Sequence, residues 1–497
     1  MKGDKTAIII GAGVGGIATA IQLAKNGYKI KVYEKNSAPG GRCGQIVREG
    51  HRFDLGATIF LMPSIYRDVF KSLGLTIEHN LKVKPLPVIY KIYYSDGKIL
   101  DFTTDKGNIQ SQLEMFEPGS VSKYQSYVSK GYGMFQTGMA KMLARNFYSF
   151  FEFANLKNAM LLFRLKTHVK HMAYVGRFFK DPHLKIAFTF QNIYLGQDPF
   201  TAPALFSLLP ATELTEGSYV LAGGMYSIVE KLVSTAIDLG VEFRYNMPVD
   251  KITVEKDKAR SIILENGDEI KAGIIVANAD LPYVYRELLP DKKRSARIDG
   301  LKYSCSAISF HWALDKVYPQ LGDHSVFVAE KYRESLDKIF DENSMSDEPC
   351  FYVHAPVGED PTAAPANQDS ISIIVPVGHL DDKNEQDWDH LKQVARASVI
   401  KRLKKQGMED IEEHIKFEIC FMPKTWDTEL HITKGSVFGS VSHNIFQMGY
   451  FRPHNRHDRY KNLYFVGGST HPGNGVPLVL MSSKLTTERI MKEADNK

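Results

Sequence analysis

The sequence predicts an α/β fold on three observations. Short β-branched runs of the kind that form buried parallel strands alternate with segments of helical periodicity. Glycine turns join one to the other. The pattern opens the chain, returns in its middle and closes it. At 497 residues the chain exceeds one core of ordinary size, so two or more folding units are expected.

The first element, residues 6–10 (TAIII), reads as a buried parallel strand. Gly11-Ala12-Gly13-Val14-Gly15-Gly16 follows directly, and residues 17–26 then place Ile17, Ala20, Ile21 and Ala24 at helical spacing. Gly27 is suited to cap that helix. Residues 28–33 form a second strand that ends at Glu34. This is a βαβ unit, the context in which a GxGxxG run specifies a Rossmann-type dinucleotide site. Gly11 permits the tight turn, Gly13 lets backbone approach a pyrophosphate, and Gly16 lets the helix pack closely on the strand. With Gly15, these are the candidate phosphate-cradling positions, and the helix N-terminus supplies free N–H groups to the phosphates. Glu34, 18 residues after Gly16, is placed to accept hydrogen bonds from a ribose hydroxyl, and Lys35 adjoins it.

Composition excludes several classes. Hydrophobic residues make up 43% and charged residues 24%, ordinary for a globular protein and contrary to global disorder. The net charge of +5 is too small to indicate nucleic acid, and no nucleic-acid motif accompanies it. Four cysteines, Cys43, Cys305, Cys350 and Cys420, lie far apart without a CxxC, so free thiols in a reducing, cytoplasmic compartment are expected. Lys2 and Lys5 precede an apolar stretch over 7–24 that has the outline of a signal peptide. Glycines interrupt it, no small-x-small cleavage site is clear, and Lys25 follows at once, so it is assigned to the nucleotide fold. No other apolar run approaches a transmembrane length.

Further along, residues 80–104 alternate apolar and polar around Ser95-Asp96-Gly97, as in an antiparallel hairpin. A long helical region is predicted from about 121 to 180. Ala222-Gly223-Gly224 opens a helix over 225–239, followed by short strands at 241–244, 251–254, 261–264 and 274–277. A strand at 370–375, a buried strand at 462–466, Gly467-Gly468 and a terminal helix complete the chain.

After Glu34 the chain does not enter another helix but runs through Pro39-Gly40-Gly41-Arg42 to Gly50-His51-Arg52-Phe53-Asp54-Leu55-Gly56. This resembles the GG-R extension of the FAD-dependent amine oxidase and carotenoid desaturase superfamily, in which the arginine and the turn lie along the FAD pyrophosphate. The C-terminal run Gly467-Gly468-Ser469-Thr470-His471-Pro472-Gly473-Asn474-Gly475-Val476-Pro477 resembles the signature of bacterial carotenoid desaturases of the phytoene desaturase type. So do Phe53-Asp54-Leu55-Gly56 with Met62-Pro63, Phe190-Gln191-Asn192 through Leu195-Gly196 to Pro203, the stretch 219–225, and Phe451-Arg452-Pro453-His454-Asn455. The chain departs from that pattern at Ala57, Ala222 and Leu478.

The resemblance implies FAD as cofactor. It is held by Gly11, Gly13, Gly15, Gly16, Glu34, Lys35, Gly41, Arg42, Val249 beside the adenine, Gly467, Gly468, Gly475 and Val476. It implies an α/β fold with a discontinuous Rossmann-type (GR2-like) FAD-binding domain (1–80, 215–300 and 455–497). An inserted mixed-sheet substrate domain (81–120 and 301–454) and a helical, membrane-facing region (121–214) complete that division. Between 141 and 185 stand nine Lys/Arg and only two acids, interleaved with aromatic and aliphatic residues, the composition of a peripheral membrane segment.

The implied chemistry is removal of hydride and proton from a C–C bond of a lipophilic acyclic carotenoid, with the flavin as hydride acceptor. The family resemblance leans to 3,4-desaturation of a 1-hydroxycarotenoid. The alternatives are phytoene or diapophytoene desaturation and terminal oxidation, and outside the class a flavin amine oxidase or a non-enzymatic prenyl-binding protein. Asp54 is the candidate catalytic residue for the second proton, the other reading being a backbone-bonding turn residue. His51, His454 and His471 are turn or flavin-contact residues, and no metal site is expected. Oxygen or a membrane quinone is the expected electron acceptor.

Overall fold

The structure, a computed structural model, describes residues 5–495; Lys2 of the N-terminal stretch lies outside them. Its first layer is a five-stranded, wholly parallel sheet. The order is Glu242–Arg244, Lys29–Tyr33, Thr6–Ile10, Ile274–Ala277, Leu463–Phe465. Three distant stretches of chain therefore build one sheet.

The strand Thr6–Ile10 shows why both faces must be covered. Ala7 and Ile9 pack with Ile17, Ile21, Leu232 and Leu480 of the helices Val14–Lys25, Tyr226–Asp238 and Val476–Asp495. Ile8 and Ile10 point the other way, onto Ile252 and Ile262 of the antiparallel meander Val249–Glu255, Lys258–Leu264 and Glu269–Lys271. The alternation of period two thus feeds two separate cores. The Asn462 side chain ties the meander to the sheet, accepting from Ala259 N–H and donating to the Ala259 and Gly273 carbonyls.

The second layer is a seven-stranded mixed sheet. Its order is Ile415–Phe421, Ser306–Leu314, Asp369–Val377, Phe351–His354, His324–Phe327, Val88–Tyr93, Ile99–Thr103. All pairs are antiparallel except Val88–Tyr93 with His324–Phe327. Phe310, Trp312, Ile371 and Ile373 pack with Val399 and Leu403 of the helix Trp388–Lys404.

The predicted helical stretch from 121 is broken into pieces: Val121–Gly138, then Phe150–Phe153, Leu156–Arg164, His171–Val175 and Pro182–Ala187. The breaks have a local cause. Ser149, Asn155 and Asp181 each accept a backbone N–H two or three residues on, so each starts a new helix. The long first helix crosses Leu208–Glu216 so closely that a Cβ on Gly131 would lie 2.6 Å from the Ala211 methyl. No helix among the described residues is long and apolar enough to cross a membrane. Cys43, Cys305 and Cys350 are buried free thiols, and Cys420 is half-buried and free.

Candidate active site

At the carboxyl ends of the parallel strands the chain leaves a crevice, the ligand-binding rim of an open α/β sheet. One cavity of about 530 Å³ starts there and continues between the two sheets. Its dinucleotide end is lined by Gly11, Gly13, Gly15, Glu34, Lys35, Gly41, Arg42, Val249, Gly467, Gly468, Gly475 and Val476. Gly16 stands behind this wall, where any Cβ would collide with the Gly11 carbonyl, so its role is close helix–strand packing.

The glycine turn is shaped for an anion. Gly13 caps the helix Val14–Lys25 without any side-chain hydrogen bond, so the first N–H groups face the crevice unshielded. A Cβ at Gly13 would lie 2.8 Å from Asn278 Nδ2, and one at Gly468 would lie 2.8 Å from Arg42 Nη2. Arg42 donates to Val437 O at 3.4 Å, its one hydrogen bond among the described residues, and burial pulls its guanidinium below its ordinary value. A desolvated cation with unused donors beside free backbone amides fits a pyrophosphate. Glu34 accepts from Ala12 N–H at 2.7 Å and from Asn36 N–H at 3.0 Å, which fixes the carboxylate at the strand end with lone pairs remaining for a ribose. Lys35 donates to Asn36 Oδ1 and to the Glu429 carbonyl.

Two residues of the rim, Asn278 and Asp280, escaped the sequence reasoning, and Arg452 entered it only within a family-like motif, without a role. Asn278 donates to Gly11 O at 3.2 Å. Asp280 accepts from Thr433 N–H and Ser440 Oγ. Arg452 is fully buried and donates to the carbonyls of Val441, Ser442, Gln447, Gly468 and Thr470. The signal for the first two was present, since polar residues just past the strand Ile274–Ala277 occupy the sheet's ligand rim.

Asp54 is the candidate residue that the structure does not bring into the large cavity. It accepts from Met225 N–H at 2.8 Å and from Gln45 Nε2 at 3.2 Å, bracing the turn at Gly223-Gly224. Gly224 has φ +73°, and a side chain there would strike the Asp54 carboxylate. Beyond Thr58 the large cavity turns apolar, lined by Phe190, Ile193, Leu209, Val326, Tyr332 and Tyr352.

The family model described as flavin containing amine oxidoreductase matches residues 14–491. Over 506 aligned residues the chain is 38% identical to the phytoene desaturase of Neurospora crassa, covering 98% of this chain and 85% of that one. The chain belongs to the carotenoid desaturase family. It is 36% identical to the zeta-carotene-forming phytoene desaturase of Myxococcus xanthus, covering 97% of this chain and 93% of the other. It is 33% identical to a 4,4′-diapophytoene desaturase of Staphylococcus aureus, covering 98% and 99%. Among solved structures, an oxidoreductase from Methanosarcina mazei matches with a TM-score of 0.61 at 15% identity over 98% of this chain and all of that one. Putrescine oxidase matches with a TM-score of 0.61 at 14% identity, over 98% and 99%. These two share the fold. The desaturase is thus an FAD-dependent oxidoreductase, and bound FAD supplies the hydride acceptor that no side chain here can replace.

Two outcomes follow for the site. Gly13→Val abolishes FAD binding, read as flavin absorbance per purified chain, because the side chain takes the space beside Asn278; full flavin content would refute that placement. Glu34→Ala weakens FAD by about 1.5–3 kcal/mol, the worth of a charged hydrogen bond. For Asp54, burial pushes the carboxyl up to about 6, against 3.8 ordinarily. The folded chain therefore binds this proton more tightly than the unfolded one. The stability it contributes is full below about pH 4 and is lost as pH rises towards 6. Asp54→Asn removes that loss, so its thermal midpoint gains on the parent's between pH 4 and pH 6 while flavin content stays constant.

Proposed function

We propose that the chain desaturates an acyclic carotenoid of the phytoene type, removing hydride and proton from one C–C bond to lengthen the conjugated polyene. The observation that carries this is the continuity of the cavity, which joins a dinucleotide cradle to an apolar channel in one volume of about 530 Å³. An apolar channel beside the cradle suits a hydrocarbon chain laid along a flavin ring. The relatives named phytoene and diapophytoene desaturases support the substrate class.

The second reading, 3,4-desaturation of a 1-hydroxycarotenoid, is favoured by one feature. Behind the wall residues Phe190 and Tyr194 lies Glu213, fully buried, which accepts from Gln191 Nε2 at 3.3 Å. The hydroxyls of Tyr90 and Tyr194 gather beside its carboxyl. A polar cluster at the edge of an apolar channel suits a hydroxylated chain end. Incubation with phytoene, diapophytoene and a 1-hydroxycarotenoid in liposomes separates the two through red-shifted product spectra. NADH is not consumed in step with product, the electrons passing to oxygen or a membrane quinone. Absence of product from all three carotenoids refutes the proposal.

Access from a membrane surface is part of the same reading. Phe151 (83% exposed), Leu156 (75%) and Phe163 (63%) project from the short helices. Phe153 stacks on Tyr450 with ring centroids 5.4 Å apart, which brings exposed Phe446 and Phe451 to the same region. Around them the stretch 141–185 carries a local excess of seven positive charges. Each charge near an anionic surface contributes about 1 kcal/mol, screened over about 10 Å at 0.1 M salt, whereas inserted Phe and Leu are unscreened. Neutralising Lys157, Arg164, Lys166 and Lys170 together lowers affinity for anionic liposomes in a flotation assay and leaves flavin content unchanged. Unaltered binding would assign the entrance to another surface.

A further inference from the structure

Away from the dinucleotide cradle, strand pairing brings a distant histidine, His354, to the adjacent pair Asp323 and His324. His324 and His354 are direct partners in the antiparallel register of His324–Phe327 with Phe351–His354, and their rings lie 5.1 Å apart. Asp323 precedes the first of them. Its Oδ2 is 3.0 Å from His324 Nε2 and 3.8 Å from His354 Nε2, and one ligand atom from each residue lies within 4.8 Å of the others. The side chains of Asp323 and His324 are 3% and 1% exposed.

The contact between Asp323 and His324 is not an ordinary hydrogen bond. At 3.0 Å the ring nitrogen would serve one if it pointed at the oxygen. It does not, and among the described residues His324 Nε2 and both Asp323 oxygens have no hydrogen-bond partner. Three buried polar atoms facing one another without bonding carry a desolvation cost that native interiors avoid. An atom held between them removes it.

We propose that Asp323, His324 and His354 form a site for a borderline divalent cation of the zinc class. Tetrahedral zinc with bonds of about 2.0–2.1 Å sets neighbouring ligand atoms about 3.3–3.5 Å apart. The two measured separations bracket that edge. Two imidazoles and one carboxylate select zinc, cobalt or ferrous iron over magnesium or calcium, which take oxygen cages. His324 has the outer support such ligands require. Its Nδ1 is 2.7 Å from the Tyr352 hydroxyl, which is 2.8 Å from Thr58 Oγ1, so the ring is fixed with Nε2 towards the site.

Local charge agrees. A cavity of about 20 Å³, room for one water as a fourth ligand, is lined by Asp323 and His354 together with Asp54, Asp360 and Arg52. Arg52 is paired to Asp360, and among the described residues neither Asp54 nor Asp323 is in an ion pair with a Lys or Arg. The cation would join two strands of the substrate-side sheet and hold Tyr352 and Thr58 against the large cavity, of which both are lining residues.

The test uses tag-free, flavin-loaded full-length protein dialysed against a chelator and then titrated with Zn²⁺, Co²⁺ or Mg²⁺. Expected are one Zn²⁺ bound per chain by calorimetry, a thermal midpoint raised by several degrees, and the intense visible absorption of tetrahedral Co²⁺. Mg²⁺ produces neither a shift nor heat. Asp323→Asn and His354→Gln each lose the Zn²⁺-induced shift, and unchanged flavin content shows that the variants remain folded. If the parent binds no Zn²⁺, if Mg²⁺ acts as well as Zn²⁺, or if binding survives in both folded variants, the proposal is overturned.

Discussion

The close fit of four glycines around one asparagine is the constraint on which the cofactor end of the molecule depends. Side chains at Gly11, Gly13, Gly15 or Gly16 would each approach the Asn278 amide or its backbone to about 3 Å. The amide is placed by sheet register: Ala277 pairs with Ile10, and Asn278 N–H donates to Ile10 O at 2.8 Å. The same strand then pairs Ala277 with Phe465, which delivers Gly467 and Gly468 to the crevice. The first turn, the middle strand and the last turn are therefore set by one hydrogen-bond ladder. A slip of one residue would reverse every side chain on the strand and remove the cradle.

Charge is arranged around that ladder with equal economy. Arg452 is buried without a carboxylate in direct contact and is held by five carbonyl oxygens from either side of the Gly467-Gly468 turn. Burial brings it down to about 9, with Asp280 opposing the fall. Arg42 shares that same carboxylate through space. The two guanidiniums thus share one nearby acid. The carbonyl cage around Arg452 explains why a cation can wait there: backbone dipoles replace its lost water.

Much of this was legible from residues alone, and what was not has a common cause. The turn from Gly11 to Gly16 and Glu34 belong to one local βαβ segment, so spacing reveals them, whereas Arg42 follows that segment and entered through the family resemblance of its glycine turn. Asn278, Asp280 and Arg452 acquire their roles only when strands distant in sequence pair. The trio Asp323, His324 and His354 was invisible for the same reason, because His354 meets the other two only through antiparallel pairing of strands separated by a helix. Asp54 lies between these cases. Its motif was recognisable, yet its contacts with Met225 and Gln45 depend on where the Gly223-Gly224 turn docks. The helical stretch from 121 was seen as helical, but its division follows from single capping side chains at 149, 155 and 181, which periodicity averages over.

The channel's own titratable groups decide how the protein can take part in chemistry. Burial pushes the hydroxyls of Tyr194, Tyr332 and Tyr352 and the thiol of Cys350 upward, so each stays protonated at neutral pH. Glu213, behind the wall, is pushed to about 8 and holds its proton as well. A channel lined in this way offers no ready anionic base to a hydrocarbon, and it also presents no charge that would draw in water. For a hydrocarbon bound there, as proposed above, excluding water, fixing one bond of a flexible chain and keeping the wall neutral would be the protein's share of the reaction. FAD held by the glycine cradle would supply the hydride acceptor for such a chain, which requires that the cradle and the apolar channel form one continuous space.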